Sequence, residues 1–378
     1  MKKIGIITIH KIENYGSVLQ AYALQRQCEI LGYDVRIIDY QYPNCFQTSQ
    51  PASIEPDTLL TTKQKILKCL YGIQIILHNH RIRGFAKRHQ NLTERCYISP
   101  DDIAQNPPLF DIYLTGSDQV WNSHFCKGDP TFLLHFAPDD AIKVAYASSF
   151  GSSGFNDKYK DLYVRLLNRY SSLSVREAAG IQIIKNLIDK PAKLVLDPTL
   201  LLGPDEWNKV ATPHRIVRKK YILCYYLNYA FDAYPYVDYL ADHFQRITGY
   251  KIVRVGKPPK KLYGSNTTFV VEASPEDFLA LFRDAEMVLT TSFHGTAFSV
   301  NYGKPFISVV ESKNTSDSRV TNFLKLLNLE TQQLVMNEEL PSMGKFDYNV
   351  SHTQQLLNEL RADSVEYLNK SLSKENSK

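Results

Sequence analysis

The sequence lacks the motifs that mark several large classes of enzyme. It has no Gly-x-Gly-x-x-Gly after a strand-like segment, no Gly-x-x-x-x-Gly-Lys-Ser/Thr and no Gly-x-Ser-x-Gly. A dinucleotide cofactor, a P-loop and an α/β-hydrolase serine therefore have no support. It also has no Asp-x-Asp pair, and such a pair of carboxylates usually binds the metal ion that accompanies a nucleotide sugar. We therefore expect neither a cofactor nor a metal.

Other absences bear on the cellular compartment and on partners. The six cysteines include no Cys-x-x-Cys pair, which argues against structural zinc and against a secreted disulfide scaffold. No apolar run reaches the ~18 residues needed to span a bilayer, and apolar residues 4–9 are too few for a secretion signal. A net charge of +5 is small for 378 residues, so no nucleic acid is expected as a partner. We expect a cytoplasmic protein, with the inner face of the membrane as a candidate location.

The chain does contain a regular alternation of strand-like and helix-like segments. Residues 4–9 predict a buried strand, 18–31 a helix closed by Gly32, and 35–40 the next strand. A second series begins at residue 221 and includes a predicted helix over 275–284. The fold class is thus α/β, with two Rossmann-like domains facing a cleft, similar to GT-B proteins. We predict an N-terminal domain over 1–202, a linker over 203–220, a C-terminal domain over 221–350, and a C-terminal helix with a disordered tail over 351–378.

Polar side chains follow several of the predicted strands. The clearest example is the apolar run Met287–Leu289, which ends in hydroxyls and then in His294 and Gly295 before a helix-like segment from Thr296. In open α/β sheets, ligands bind at the carboxyl ends of the strands, where helix N-termini favour anions. The imidazole of His294 at this position indicates chemistry on an anionic substrate.

Three charged residues, Asp118, Arg176 and Asp197, also come at the ends of predicted strands. The guanidinium of Arg176 suits a carboxylate or a phosphate, although a salt bridge with Glu177 is the alternative. Asp118 fits loop shaping and catalysis equally well, and Asp197 fits an N-cap or turn equally well. Trp121 is either a core residue or a platform on which a sugar stacks.

Two further stretches suggest ligand contacts. Asn14, Gly16 and Ser17 form a loop that opens onto the first predicted helix and could cradle an anion. Residues 78–95 are the densest basic stretch, and they are either a solvated helix face or a surface for anionic lipid headgroups or a pyrophosphate. The neighbouring cations argue against a metal at His78 and His80.

Taken together and in order, these segments resemble the polysaccharide pyruvyltransferase family. The resemblance spans roughly residues 3–330. The matching segments are Asn14-Tyr15-Gly16-Ser17-Val18-Leu19-Gln20, Leu114-Thr115-Gly116-Ser117-Asp118-Gln119-Val120-Trp121-Asn122, Ala145-Tyr146-Ala147-Ser148-Ser149-Phe150-Gly151, Ser174-Val175-Arg176-Glu177, Leu196-Asp197-Pro198-Thr199, Thr291-Ser292-Phe293-His294-Gly295-Thr296 and Ser318-Arg319-Val320.

The resemblance implies transfer of the pyruvyl group of phosphoenolpyruvate, the co-substrate, to two hydroxyls of a sugar as a cyclic ketal. It maps the family's catalytic histidine onto His294 and its arginine onto Arg176. Several members carry arginine two positions before the histidine, where this chain has Ser292. Arg319, Arg254 or Lys304 are the candidates to supply that missing charge.

The expected site is therefore as follows. We expect the acceptor to be a galactose-like hexose in a capsular, exopolysaccharide or cell-wall repeat unit. A candidate form of this acceptor is a sugar linked to a lipid pyrophosphate, and the protein would then contact the membrane surface peripherally. The catalytic candidates are His294 as acid, Asp118 as the weaker candidate for the base, and Arg176 as anion clamp. The donor side adds Ser292, Gly295, Thr296, Arg319 and Lys304, and the acceptor side has Asn14, Gly16, Ser17, Ser117, Trp121 and Ser149.

Two alternatives remain open at this point. One is a GT-B glycosyltransferase that uses a nucleotide sugar. The other is a non-catalytic glycan-binding relative, suggested by Ser292 and by the basic stretch.

Overall fold

The computed structural model describes residues 1–41, 62–151, 155–228, 231–259, 263–312 and 319–374, with only the backbone described over 62–70. The chain divides into two compact units. Unit 1 takes the described residues of Met1–Ser49, Ala86–Leu202 and Asn358–Lys378, and unit 2 those of Gln50–Phe85 and Gly203–Leu357.

Unit 1 is built around parallel strands with helices between them. Its strands are β1 (Lys3–Ile7), β2 (Asp34–Ile37), β3 (Ile112–Thr115), β4 (Ile142–Ala145), β5 (Ser174–Val175) and β6 (Lys193–Leu194). The first four pair in the order β2-β1-β3-β4, and β5 pairs with β6. Its helices are α1 (Tyr15–Ile30), α3 (Pro100–Gln105), α4 (Lys160–Leu167) and α5 (Ala178–Ile188), and it shares α2 (Thr62–His89) with unit 2.

Unit 2 holds a parallel sheet of six strands. Its strands are β7 (Tyr221–Tyr225), β8 (Lys251–Val255), β9 (Thr267–Val270), β10 (Met287–Thr290), β11 (Phe306–Val310) and β12 (Gln333–Val335). Its helices are α6 (Pro204–Asn208), α7 (Tyr236–Thr248), α8 (Pro275–Asp284), α9 (Phe293–Asn301) and α10 (Arg319–Leu326), and α11 (Val350–Leu372) begins in it and ends in unit 1.

The strand order in unit 2 is β12-β11-β10-β7-β8-β9. Read from the other edge in chain order, this is the 3-2-1-4-5-6 arrangement of the Rossmann fold. The order reverses between β7 and β10, and ligands bind outside the carboxyl ends of the strands at such a point. The predicted α/β class with two Rossmann-like units is confirmed.

The units are not contiguous segments of the chain. Residues 71–85 of α2 group with unit 2 because His78 Nδ1 bonds the carbonyl of Ala273 over 3.2 Å and Arg81 donates to the carbonyl of Glu272 over 2.9 Å. Leu368 and Leu372 of α11 are fully buried in the core around β1 and β2, which brings the C-terminal segment back to unit 1. The predicted linker over 203–220 contains α6, whose Trp207 is fully buried. Residues 375–378 of the predicted tail lie outside the described residues.

Candidate functional site

The candidate residues of unit 1 gather at the carboxyl ends of β1, β3 and β5, around Arg176. The Arg176 side chain is 1% exposed. Its Nη1 donates to Asp197 Oδ2 over 2.8 Å, and its Nη2 lies 3.5 Å from Asp118 Oδ1. Glu177 adds a third carboxylate at 3.7 Å from Nε. Burial alone would lower the pKa of Arg176, but these carboxylates raise it above its ordinary value.

This geometry differs from an open anion clamp. The guanidinium of Arg176 is already engaged by the carboxylates of Asp118, Glu177 and Asp197. The salt bridge to Glu177, which was the alternative for Arg176, is present, and Asp197 adds a shorter bond that sequence reasoning missed. Sequence analysis placed Asp197 at a strand end, as it did Arg176, but not the bond between the two side chains.

Asp118 is held in an unusual backbone conformation. Its φ is 72°, in the left-handed region that non-glycine residues seldom occupy. Its Oδ2 accepts a hydrogen bond from Ser17 Oγ over 2.5 Å, and its Oδ1 accepts one from the backbone N–H of Gln119 over 2.9 Å. Strained backbone of this kind concentrates at functional sites, where the surroundings impose it. The loop therefore fixes the direction of the carboxylate of Asp118.

The N-terminus of α1 is already supplied with acceptors. Asn14 Oδ1 accepts from the N–H of Gly16 over 2.9 Å, and the hydroxyl of Ser17 donates to Asp118. The loop at this helix end was predicted to bind an anion. In the structure, the carboxylate of Asp118 is the anion at this helix end. Nearby, Ser117 Oγ donates to Asp197 over 3.2 Å, and the buried Ser149 Oγ accepts from the N–H of Gly151 over 3.0 Å.

Trp121 is a core residue. It is fully buried, its Nε1 donates to the carbonyl of Phe132 over 3.1 Å, and its ring packs against Phe150 and Tyr170. Because no ring face reaches the surface, the predicted sugar platform is wrong at this position, and the alternative of a core tryptophan holds.

In unit 2, His294 lies at the carboxyl edge of β10, in the first turn of α9. It is 6% exposed. Ser292 is the N-cap, and its Oγ accepts from the N–H of Gly295 over 3.4 Å. The partial positive charge of the helix N-terminus favours an anion beside this ring. Ser292 therefore stabilises the helix end that carries His294.

Two other donor-side candidates serve the packing of α9. Thr296 is fully buried, and its Oγ1 bonds the carbonyl of Ser292 over 3.1 Å and the hydroxyl of Ser308 over 2.7 Å. A Cβ on Gly295 would come within 2.1 Å of Thr290 Oγ1, so only glycine lets the helix approach β10 this closely. Both residues therefore position His294 and are not open to a ligand.

The three candidate cations of unit 2 lie in different places. Arg319 is the first residue of α10, and its Cζ lies 6.0 Å from the ring centroid of Phe293, next to His294. Lys304 precedes β11 at the amino edge of the sheet, because α9 carries the chain back from the end of β10. Burial lowers the pKa of Lys304. Its charged neighbours include Asp284, which ends α8, and Glu286, which precedes β10, and both lie at that same edge. Lys304 is therefore wrong as a donor-binding residue, since it lies across the sheet from His294.

Arg254 lines a cavity at the carboxyl ends of β7 and β8. Its Nη2 lies 2.5 Å from Asp238 Oδ1, and its guanidinium lies 4.9 Å from the ring centroid of Tyr263 and 5.5 Å from that of Tyr226. Burial alone would lower the pKa of Arg254, but the surrounding acidic groups raise it. The cavity has a volume of about 100 Å³ and is mainly apolar, with Thr291 at one side. Since Asp238 already balances its charge, Arg254 is a weaker candidate than Arg319 for binding a donor anion.

Among the described residues, no group of three or more His, Cys, Asp or Glu side chains could hold a metal ion. His78 points inward to Ala273, whereas His80 is exposed, so these two rings do not converge. Within the same described ranges, no helix is long and apolar enough to cross a membrane.

The structure thus presents two Rossmann-like α/β units, each with polar side chains at the carboxyl edge of its parallel strands. Residues 14–313 match the family model for polysaccharide pyruvyl transferase, and the chain belongs to that family. It is accordingly a transferase of polysaccharide biosynthesis that acts on a sugar or polysaccharide acceptor. The comparison with curated proteins finds no match.

Solved structures with a similar course of the chain are distant in sequence. The glycosyltransferase SsfS6 of Streptomyces sp. SF2575 is 13% identical, with 97% of this chain and 99% of that chain covered and a TM-score of 0.44. UDP-GlcNAc 2-epimerase from Methanocaldococcus jannaschii is 10% identical, with 95% and 99% covered and a TM-score of 0.49. The glycosyltransferase SnogD of Streptomyces nogalater is 11% identical, with 97% and 98% covered and a TM-score of 0.43.

Proposed function

We propose that this protein transfers the pyruvyl group of phosphoenolpyruvate to two hydroxyls of a galactose-like hexose. The product is a cyclic pyruvate ketal in a capsular, exopolysaccharide or cell-wall repeat unit, and the acceptor is a lipid-linked precursor of that unit. The observation that carries the proposal is the position of His294. This imidazole stands at the N-terminus of α9 and at the carboxyl end of a strand beside the switch point, with Arg319 next to the adjoining Phe293.

The chemistry requires a proton donor for the methylene carbon of phosphoenolpyruvate. Protonation there turns the methylene into a methyl group and leaves an oxocarbenium-like centre at the neighbouring carbon, which a sugar hydroxyl attacks. A second hydroxyl then replaces the phosphate. One of the two hydroxyl protons balances the proton added to the methylene carbon, and the other leaves with phosphate. His294 is proposed as the acid, because an imidazole exchanges protons near neutral pH.

The anionic groups of the donor need positive charge. The N-terminus of α9 and the guanidinium of Arg319 are proposed to supply it in unit 2, since Ser292 stands where several relatives have arginine. In unit 1, Asp118 is proposed to accept the proton of a sugar hydroxyl. Arg176 is proposed to act on Asp118 by holding its carboxylate, together with Ser17.

Release of phosphate from phosphoenolpyruvate, measured with a panel of galactosides, tests the proposal. We expect release only with an acceptor, together with a product of the mass of the pyruvylated sugar. His294→Gln should abolish release while leaving the thermal unfolding midpoint within a few degrees of the wild type. Release without an acceptor, or full activity of His294→Gln, would contradict the proposed chemistry or the proposed acid.

One observation favours a second candidate, a glycosyltransferase that uses a nucleotide sugar. The cavity around Arg254 lies at the carboxyl ends of the first two strands of a Rossmann-like sheet, and its walls include Tyr226, Tyr263 and Phe269. Aromatic rings at this position suit a planar base. Thermal stabilisation by a nucleoside diphosphate but not by phosphoenolpyruvate would favour this second function.

A further inference from the structure

One face of helix α2 combines exposed apolar side chains with exposed cations. Ile73 and Ile76 are each 69% exposed, and Leu77 is 41% exposed. His80, Arg83 and Lys87 follow on the same side of the helix, because they recur at spacings of three and four residues. We call the side chains of Ile73, Ile76, Leu77, His80, Arg83 and Lys87 the α2 stripe.

The opposite face of the helix is fixed against the protein. His78, Ile82 and Phe85 are 8%, 1% and 0% exposed. His78 bonds the carbonyl of Ala273, and Arg81 bonds the carbonyl of Glu272 and lies 3.5 Å from Asp277 Oδ2. Because these contacts fix the orientation of α2 about its own axis, the α2 stripe faces outward.

The charge along this helix has one sign. Residues 62–89 contain seven lysines and arginines and no aspartate or glutamate. Solvated helix faces ordinarily mix both signs, whereas a helix with basic and apolar residues on one face is typical of segments that lie on anionic membranes. Long cationic side chains can reach phosphate groups while apolar ones enter the boundary between headgroups and acyl chains.

We propose that the α2 stripe docks the protein onto the surface of an anionic lipid bilayer. Ile73, Ile76 and Leu77 enter the interface, and Arg83 and Lys87 contact the lipid phosphates. The apolar side chains distinguish this surface from one that merely attracts anions. The inference does not depend on the donor or on the acceptor sugar.

Cosedimentation of the full-length protein with vesicles tests the proposal. We expect binding to vesicles of phosphatidylcholine with a quarter of phosphatidylglycerol, and little binding to phosphatidylcholine alone. Arg83→Gln with Lys87→Gln should lower the partition coefficient roughly twenty-five-fold, because each cation near an anionic surface contributes about fivefold. Ile73→Ser with Ile76→Ser should lower it by a similar factor.

Two matched controls keep the test specific. Lys185→Gln with Lys325→Gln removes two exposed lysines elsewhere, and Leu109→Ser with Ile247→Ser removes two apolar residues that are 79% and 52% exposed. Both control proteins should bind vesicles as the wild type does. Equal loss in the controls, or equal binding to neutral vesicles, would overturn the proposal. Self-association of the wild type in sedimentation velocity, if Ile73→Ser with Ile76→Ser abolishes it, would also overturn the proposal. The α2 stripe would then join two copies of the chain.

Discussion

The guanidinium of Arg176 donates to the carboxylate of Asp197 over 2.8 Å, and the two side chains are 1% and 0% exposed. This pair lies at the centre of the charged cluster of unit 1. Removal of one member of such a buried ion cluster is strongly destabilising, because it leaves the other charges buried without compensation.

Arg176→Gln should therefore lower the free energy of unfolding by about 3–5 kcal/mol. Urea denaturation followed by circular dichroism measures this loss. Lys193→Gln is the matched control, because Lys193 and Asp363 form an ion pair with side chains 40% and 50% exposed, and such a pair contributes about 1 kcal/mol at most. Adding Asp197→Asn to Arg176→Gln should recover part of the loss. A loss as small as that of the control would show that Arg176 is not needed for stability.

Arg319 and Lys304 should respond differently to loss of their charge. If the proposed function is correct, Arg319→Gln should raise the KM for phosphoenolpyruvate at least tenfold, as expected for a charged hydrogen-bond donor worth about 1.5–3 kcal/mol. Lys304→Gln should leave that KM unchanged, because Lys304 lies at the amino edge of the sheet. Steady-state phosphate release measures both constants. The reverse pattern would move the donor to the other edge of the sheet.

Gly295 should tolerate no side chain. In Gly295→Ala the new methyl group would lie 2.1 Å from Thr290 Oγ1 and 3.1 Å from a ring carbon of Tyr225, so α9 must move away from β10. We expect a loss of about 1–3 kcal/mol in stability and reduced turnover, since His294 moves with the helix. At Gly203 a Cβ would meet no described heavy atom within 4 Å, and Gly203→Ala should change stability by about 0.5 kcal/mol or less. Equal thermal midpoints for the two variants would contradict this packing.

Stability should fall between pH 7 and pH 5, partly through His78. Burial lowers the pKa of His78 below its ordinary value of 6.5, although the bond to Ala273 acts in the opposite direction. The unfolded chain therefore binds a proton at a higher pH than the folded protein does. The contribution of neutral His78 to stability is therefore full well above pH 6.5, and it is lost as the pH falls through 6.5 towards the lower pKa of the folded state. The thermal midpoint of His78→Gln should depend less on pH over this range, and an unchanged dependence would exclude His78 as a contributor.

The helices and strands were the part of the fold that the sequence predicted best. The predicted helix over 275–284 agrees with α8, because its start is marked by Ser274, Pro275 and Asp277. The structure forms the corresponding capping box, with Ser274 and Asp277 each bonding the other's backbone N–H. The strand that leads to His294 was accessible for a similar reason, since an apolar run ends abruptly in hydroxyls.

The errors at Trp121 and Lys304 have a different origin. Both residues lie near matching motifs, but nearness along the chain does not fix the direction of a side chain or the edge of a sheet. Trp121 turns inward to the carbonyl of Phe132, and α9 takes Lys304 away from His294. The bond from Arg176 to Asp197 joins two strand ends that are 21 residues apart, and it depends on the pairing of β5 with β6.

The return of α11 to unit 1 bears on how the protein is synthesised. Unit 1 receives the segment with Leu368 and Leu372 only after all of unit 2 has been translated. The earlier segments of unit 1 therefore lack part of their apolar core until that segment has been synthesised. The core of unit 1 around β1 and β2 is therefore complete only once α11 has been made.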